Sequence, residues 1–149
     1  MMPLLTDILT YLDAQDSTLK KLSGTGSTGN LVLTELPDRT GVPDTIMAIY
    51  ETGGMAPHWA FGSTSPVYET AGLQIISRSS LYDTARSRAF IAYRILGGIR
   101  NQYLPTSTYT TKCLYLDVNP DQPPFSIGKD ENGRWLVSCN FTVRKERSA

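Results

Sequence analysis

The chain has 149 residues, of which 40% are hydrophobic and 19% are charged, and its formal net charge is zero. This length and composition predict one globular domain, spanning residues 1–149, with a core of its own. The balance of 14 basic and 14 acidic residues argues against a dedicated nucleic-acid-binding protein, which usually has a basic excess. The sequence shows neither an apolar run long enough to span a membrane nor the basic start of a signal peptide.

The amino-terminal third predicts a helix, a loop and a short strand. Leucine and isoleucine recur at helical spacing over residues 3–15, and Pro3 suits the first turn of a helix. The glycine-rich run at residues 23–30 lacks the Gly-Lys-Ser/Thr ending of a phosphate-binding loop, so it predicts a flexible loop. A strand over residues 31–35 follows, and Pro37 ends it.

A second strand and a long loop come next. Residues 45–50 are apolar on both faces, which is typical of a central strand. The segment 51–66 then holds three glycines and two prolines, which predict a flexible loop near residues 53–66. It contains His58, the only histidine, between neighbours that include Trp59 and Phe61. Loops of this length in compact domains are usually functional or mobile.

The middle of the chain predicts a strand that turns into a helix. Residues 73–78 form the strand, with Arg78 on the face opposite Leu73. Ser80 precedes Asp83 by three residues, which predicts a capping box at the start of the helix. One apolar stripe follows at helical spacing, and its alanines favour close packing on a sheet. Its members are Leu81, Tyr82, Ala85, Ala89, Ala92, Tyr93, Leu96 and Ile99.

The carboxy-terminal third predicts strands. Residues 111–118 and 125–127 read as two of them, after a loop over residues 103–108. Asn132 and Gly133 predict a tight hairpin turn, and strict alternation from Trp135 onward predicts a long strand with one face in the core. The charged run 144–147 predicts a solvated terminus, and Cys113 and Cys139 predict free thiols. The order of elements predicts an α+β fold: a mixed, largely antiparallel β-sheet with an N-terminal helix and a central helix packed on it.

Catalytic patterns are missing from the sequence. A single histidine and two cysteines without CxxC spacing exclude the common zinc motifs, and no cofactor fingerprint occurs. No GxSxG pattern accompanies His58. We therefore expect no enzyme, no cofactor and no metal. The alternative is a small hydrolase or ligand-binding domain that uses His58 and the loop at residues 53–66.

Two residues of the central helix lie off its apolar stripe. Phe90 and Ile91 fall on flanks that also carry Arg86 and Arg94. Either a second layer of the same subunit covers them, or they meet a neighbouring subunit, because aromatic and arginine residues are enriched at interface cores.

Several short motifs follow one another along the chain in a characteristic order and spacing. They are Gly29-Asn30-Leu31 leading to Leu36-Pro37, residues 44–50 before Gly53-Gly54, the strand Gly72-Leu73-Gln74-Ile75-Ile76-Ser77-Arg78, the helix from Tyr82 to Leu96-Gly97-Gly98, and residues 127–134 leading to Asn140-Phe141. From about residue 30 onward, this layout resembles the minor capsid and tail terminator proteins of long-tailed bacteriophages. A departure is the segment Met55-Ala56-Pro57-His58, where the family often carries a further acidic residue or proline.

The resemblance implies a structural virion protein in the tail or neck, assembled in the host cytoplasm. Such proteins form a ring, usually hexameric, that caps the tail tube, joins it to the head and lets DNA pass without specific binding. The implied partners are copies of the chain itself, the tail tube protein and a head–tail connector or stopper protein. On these grounds we expect interface roles for Trp59, Phe61, Phe90, Ile91 and Arg94. Another connector protein of the head–tail joint, such as a head-completion or stopper ring, is the nearest alternative.

Overall fold

The computed structural model describes residues 3–22, 29–38, 41–59, 66–104 and 113–146; of residues 3, 56–59 and 66–67 it describes only the backbone. The described residues form two helices and seven strands. The helices are α1 (Pro3–Gln15) and α2 (Tyr82–Leu96). The strands are β1 (Leu31–Leu33), β2 (Ile46–Trp59), β3 (Pro66–Ser79), β4 (Arg100–Leu104), β5 (Cys113–Pro120), β6 (Phe125–Lys129) and β7 (Trp135–Glu146).

One sheet connects all seven strands in the order β1-β2-β3-β7-β5-β4, and β6 also pairs with β7. Only the β1–β2 pair is parallel; the other described pairs are antiparallel. β5 pairs with the second half of β7 and β6 with the first half, so the two share one side of that strand. Proline lacks a backbone donor, and Pro123 and Pro124 separate β5 from β6. The predicted α+β fold is confirmed.

The core lies between the helices and one face of the sheet. α1 buries the leucines and the isoleucine of its predicted stripe, and α2 buries Ala85, Ala89, Ala92 and Leu96. The small alanine side chains let α2 lie close to β7, where Ala85 and Ala89 pack with Val137. The sheet contributes the predicted inward residues of β7, namely Val137, Cys139, Phe141 and Val143.

The start of α2 differs from the prediction. Leu81 occupies the N-cap position and makes no side-chain cap hydrogen bond, so the capping box of Ser80 and Asp83 is wrong. The Ser79 hydroxyl instead accepts a hydrogen bond from the Leu81 amide at 3.2 Å. The Leu81 side chain is 65% exposed and the Tyr82 side chain is 38% exposed, so neither belongs to the buried stripe.

The predicted loop over residues 51–66 is also wrong where the structure describes it. β2 continues to Trp59 and β3 begins at Pro66, so these residues form the two arms of a hairpin, and residues 60–65 lie outside the described residues. The pairing is irregular after Thr52, after Met55 and at His58. Such bulges accommodate glycine and proline without ending a strand.

The structure describes the other two predicted loops only in part. Tyr103 and Leu104 belong to β4, an edge strand that the sequence does not predict; residues 105–112 lie outside the described residues. In the glycine-rich run, residues 23–28 also lie outside them. At its end, the Asn30 side chain accepts from the Lys20 amide at 2.9 Å and donates to the Thr18 carbonyl at 2.7 Å.

A buried arginine forms hydrogen bonds with the segment that connects β1 to β2. Arg78 is 2% exposed, and its guanidinium donates to the carbonyls of Pro37 at 2.9 Å, Asp44 at 3.1 Å and Pro43 at 3.2 Å. Burial, followed by the nearby charge of Arg134, lowers the pKa of Arg78. Arginine suits this position because its guanidinium presents several donors in a fixed plane.

Candidate interaction surface

The described residues contain no group of three or more His, Cys, Asp or Glu side chains placed to hold a metal ion. Cys113 and Cys139 are not joined in a disulfide, and burial raises the pKa of Cys139 to about 12, so this thiol is protonated at neutral pH. The backbone of His58 lies in β2, opposite Tyr68 of β3.

The outer side of α2 carries an ordered group of aromatic and basic side chains. The Arg86 guanidinium lies 4.4 Å from the centroid of the Phe90 ring. The Phe90 and Tyr93 rings meet edge to face, with centroids 5.7 Å apart and an angle of 65°. Spacings of three and four residues place these side chains next to one another on a helix. Their mutual contacts hold them in place, which lowers the entropy lost when a partner binds.

Arg94 extends this group by one helical turn beyond Phe90. Its side chain is exposed, and no described carboxylate lies within ion-pair distance of it. We call Arg86, Phe90, Tyr93 and Arg94 the α2 outer face. The structure thus brings together two of the predicted interface residues, Phe90 and Arg94.

Ile91 is placed differently from Phe90. Its half-buried side chain packs against the main core, on a flank where Arg88 donates to the Thr18 carbonyl at 2.9 Å. Coverage within the same subunit accounts for Ile91, as one of the two predicted alternatives allows. The helical pattern could not separate the two residues, because both lie off the buried stripe.

The remaining predicted interface residues lie near the tip of the β2–β3 hairpin. The backbone of Trp59 ends β2 and pairs with Pro66, whereas Phe61 lies outside the described residues. Nearer the base of this hairpin, the side chains of Met55 and Tyr68 are exposed. The described part of the hairpin therefore presents large apolar side chains to solvent.

A comparison with known protein families identifies a relationship that covers most of the chain. A family model described as bacteriophage tail terminator protein matches residues 11–147, which include all seven described strands and α2. The chain belongs to the bacteriophage tail terminator family. The predicted resemblance to tail terminators is thereby confirmed, and the protein is a structural component of the phage tail. No curated protein matches the chain.

Among the residues that the structure describes, no helix is both long and apolar enough to cross a bilayer.

This tail terminator also has an exposed aromatic surface that the sequence did not predict. Tyr82 and Trp135 meet edge to face with ring centroids 5.3 Å apart, and the Lys129 ammonium lies 4.5 Å from the Trp135 centroid. Leu81 flanks Tyr82 in the chain, and Phe125 and Ile127 of β6 are also exposed. Helical spacing assigned Leu81 and Tyr82 to the buried stripe, but the helix begins only at Tyr82. The local sequence carries no signal for this, because only the folded structure shows where the first turn of α2 begins.

A buried polar group lies at the other end of the terminator's sheet. Lys145 is 3% exposed and its ammonium lies 2.7 Å from the Glu69 carboxylate, so the solvated terminus predicted at residues 144–147 is wrong for Lys145. The side chain continues the inward alternation of β7 past Val143. Nearby, the Tyr115 hydroxyl donates to the Asp7 carboxylate at 2.8 Å. Burial raises the pKa of Asp7, although the Tyr115 hydrogen bond and the Lys145 charge oppose that rise.

Proposed function

We propose that this tail terminator forms a closed, hexameric ring on the end of the tail tube. The ring stops tube polymerisation, offers its other side to the head–tail connector and lets the genome pass through its bore. The observation that carries the proposal is the α2 outer face: two exposed arginines, Arg86 and Arg94, beside the half-buried rings of Phe90 and Tyr93, ordered by their own contacts. Membership of the tail terminator family supports a role for this surface in the phage tail.

Ring closure requires two different patches on each subunit. In a cyclic assembly of more than two copies, one patch of a subunit meets a different patch of the next, and rotation closes the ring. The α2 outer face is the first patch, with Phe90 and Arg94 as its main residues. The β2–β3 hairpin, which ends near Trp59 and Phe61, provides the second. Arginine and large aromatic residues are the types that carry most binding energy at such contacts.

Passage of DNA requires a bore that does not hold it. Each phosphate neutralised by lysine or arginine adds binding energy and releases counterions, so a strongly basic lining would retain the genome. The chain has equal numbers of basic and acidic residues, 14 of each. This balance supports transient passage of DNA without specific binding.

The proposed partners are other copies of the chain, the tail tube protein and the connector or stopper protein on the head side. Assembly takes place in the host cytoplasm, and the finished ring stays in the neck of the virion. No cofactor, metal or catalytic residue is part of this function.

Binding to assembled tubes tests the proposal. Purified terminator is sedimented with polymerised tail tubes and, separately, with heads that carry their portal and connector. We expect the terminator to sediment with the tubes at about one ring per tube end. Binding to portal-bearing heads without binding to tubes would instead identify a stopper or head-completion protein.

A further inference from the structure

Two arginines of the α2 outer face have no carboxylate partner in the described subunit. Arg86 contacts the Phe90 ring, and Arg94 is exposed; neither forms an ion pair with any described residue. Asp83, one turn before Arg86, is exposed and forms no ion pair with it. The ion pairs of the described residues are made by Arg134, Arg144 and Lys145, on β7 or the turn before it. The outer side of α2 is therefore a local positive surface on a neutral chain.

Two glutamates at the β1–β2 edge carry the opposite charge. Glu35 follows β1 and Glu51 lies in β2, and both are exposed without a described cation in ion-pair distance. Tyr50 precedes Glu51 in β2 and faces the other side of the sheet, and its pKa is raised by burial and then by the Glu35 charge. This edge therefore combines two free carboxylates with a half-buried aromatic ring.

The same edge has unpaired backbone. β1 pairs with β2 only from Met47 to Ile49, and no described strand pairs with the outer side of β2 beyond that point. An open strand edge is a ready site for another chain, because its amide and carbonyl groups lack partners in the sheet. Natural proteins protect such edges with charges or by covering them.

We infer that the α2 outer face of one subunit docks on the Glu35–Glu51 edge of the next copy. This pairing rests on the proposed ring and names the surfaces that close it. The charges are complementary, since arginines meet carboxylates, and the half-buried Phe90 ring meets the open edge of β2. The two surfaces lie at different places in the fold: α2 packs over β3 and β7, while β1 and β2 end the sheet. Two distinct complementary patches are what head-to-tail contacts require.

Nucleic acid is the other class of partner that an arginine and aromatic surface could bind. The α2 outer face offers only two arginines free of carboxylates, whereas specific protein–DNA surfaces are strongly basic. The same chain also carries the complementary acidic edge. Both observations favour a second copy as the occupant.

Reciprocal charge reversal tests the pairing, because every contact in a ring contains both patches. One variant carries Arg86→Glu and Arg94→Glu, a second carries Glu35→Arg and Glu51→Arg, and a third carries all four changes. Glu131→Arg is the matched control, since Glu131 is an exposed acid on the β6–β7 turn without a described ion pair. Light scattering and native mass spectrometry give the concentration at which the ring dissociates, and circular dichroism verifies folding.

We expect each double variant to raise the dissociation concentration at least about tenfold, as loss of a close charge pair does. The fourfold variant should recover most of that loss, and Glu131→Arg should leave the ring intact. A ring that persists in both double variants, or a fourfold variant no better than the doubles, overturns the pairing while leaving the ring itself in place. Loss of duplex-DNA binding in Arg86→Glu, Arg94→Glu with an unchanged ring identifies a nucleic-acid surface instead. A wild-type chain that never forms a ring overturns both proposals.

Discussion

The guanidinium of Arg86 lies 4.4 Å above the ring of Phe90, and the two residues are one helical turn apart. This contact fixes both side chains on the exposed side of α2, where Tyr93 supports the Phe90 ring from its edge. A cation over an aromatic ring contributes about 0.5–1 kcal/mol at an exposed site. The contact is thus weak as a source of stability, and its main effect is to order a surface that faces away from the core.

Substitutions at Phe90 and at Ile91 should have different effects, the first on subunit association and the second on folding stability. We expect Phe90→Ala to lower the free energy of unfolding by only about 1 kcal/mol, because its ring is half-buried at the surface. It should nevertheless weaken subunit association by at least about tenfold, as loss of a central aromatic anchor does. Ile91→Ala is the matched control: it should lower stability by about 1–2 kcal/mol, since Ile91 packs on the core, and leave association unchanged. Urea unfolding and light scattering measure the two effects. Equal loss of association in both variants would contradict this division.

Arg78 should be a major stabilising residue. Replacing it with methionine keeps much of the volume but leaves the carbonyls of Pro37, Pro43 and Asp44 without their donor. Buried acceptors without partners are costly, so we expect a loss of about 3 kcal/mol in the free energy of unfolding. Arg94→Met, at an exposed position on α2, should change stability little. Urea denaturation compares the two, and similar small effects would show that the link between β1 and β2 does not depend on Arg78.

Asp7 should make stability fall as the pH rises through its titration range. Burial raises the pKa of Asp7 in the folded chain above the ordinary value of 3.8, so the folded state binds this proton more tightly than the unfolded state. Its contribution is complete below the unfolded pKa and is lost as the pH passes the folded pKa. Asp7→Asn keeps an acceptor for the Tyr115 hydroxyl but does not titrate.

Free energies of unfolding measured between acid and neutral pH, for wild type and Asp7→Asn, isolate this residue. The free energy of unfolding of Asp7→Asn, relative to that of the wild type, should increase as the pH rises above 3.8. The comparison is needed because Asp117 and Asp130, whose pKa values are lowered, act in the opposite direction in both proteins. A difference that is constant with pH would mean that the Asp7 carboxyl has its ordinary pKa.

Gly54 and Gly53 should respond differently to a methyl group. A Cβ at Gly54 would overlap the Thr70 carbonyl oxygen on the paired strand, whereas a Cβ at Gly53 would meet nothing within 4 Å. We expect Gly54→Ala to cost about 1–3 kcal/mol and to disturb the β2–β3 hairpin, and Gly53→Ala to be nearly neutral. Thermal unfolding and amide hydrogen exchange in β2 measure this. Identical behaviour of the two variants would contradict the register of β2 against β3.

The regular parts of the fold were predictable because their residues repeat with the period of the structure. Alternation gave β7 its inward face, and the alanine spacing placed α2 on the sheet. The β2–β3 hairpin was not predictable in this way. Gly53, Gly54 and Pro57 are local signals for a loop, whereas the pairing of β2 with β3 continues past them through bulges that have no pattern in the sequence.

The candidate surface was predictable in part for the same reason. Phe90 and Arg94 were predicted because they lie off a periodic stripe, but only the packing of the folded chain separates Phe90 from Ile91. Lys145 was predicted to be exposed to solvent but is buried. A charged residue near the chain end predicts solvent, yet Glu69 on the neighbouring strand provides a counter-charge that allows its burial. Such partners come from strand pairing and have no signature in the local sequence.

Electron microscopy of growing tail tubes, with and without the purified protein, tests the central claim most directly. Tube protein is allowed to polymerise, the terminator is added, and tube lengths and tube ends are recorded. The ring account predicts a ring of about six subunits on one end of each tube and no further lengthening after its addition. Tubes that keep growing at the same rate, with bare ends and only single subunits in the background, would contradict it.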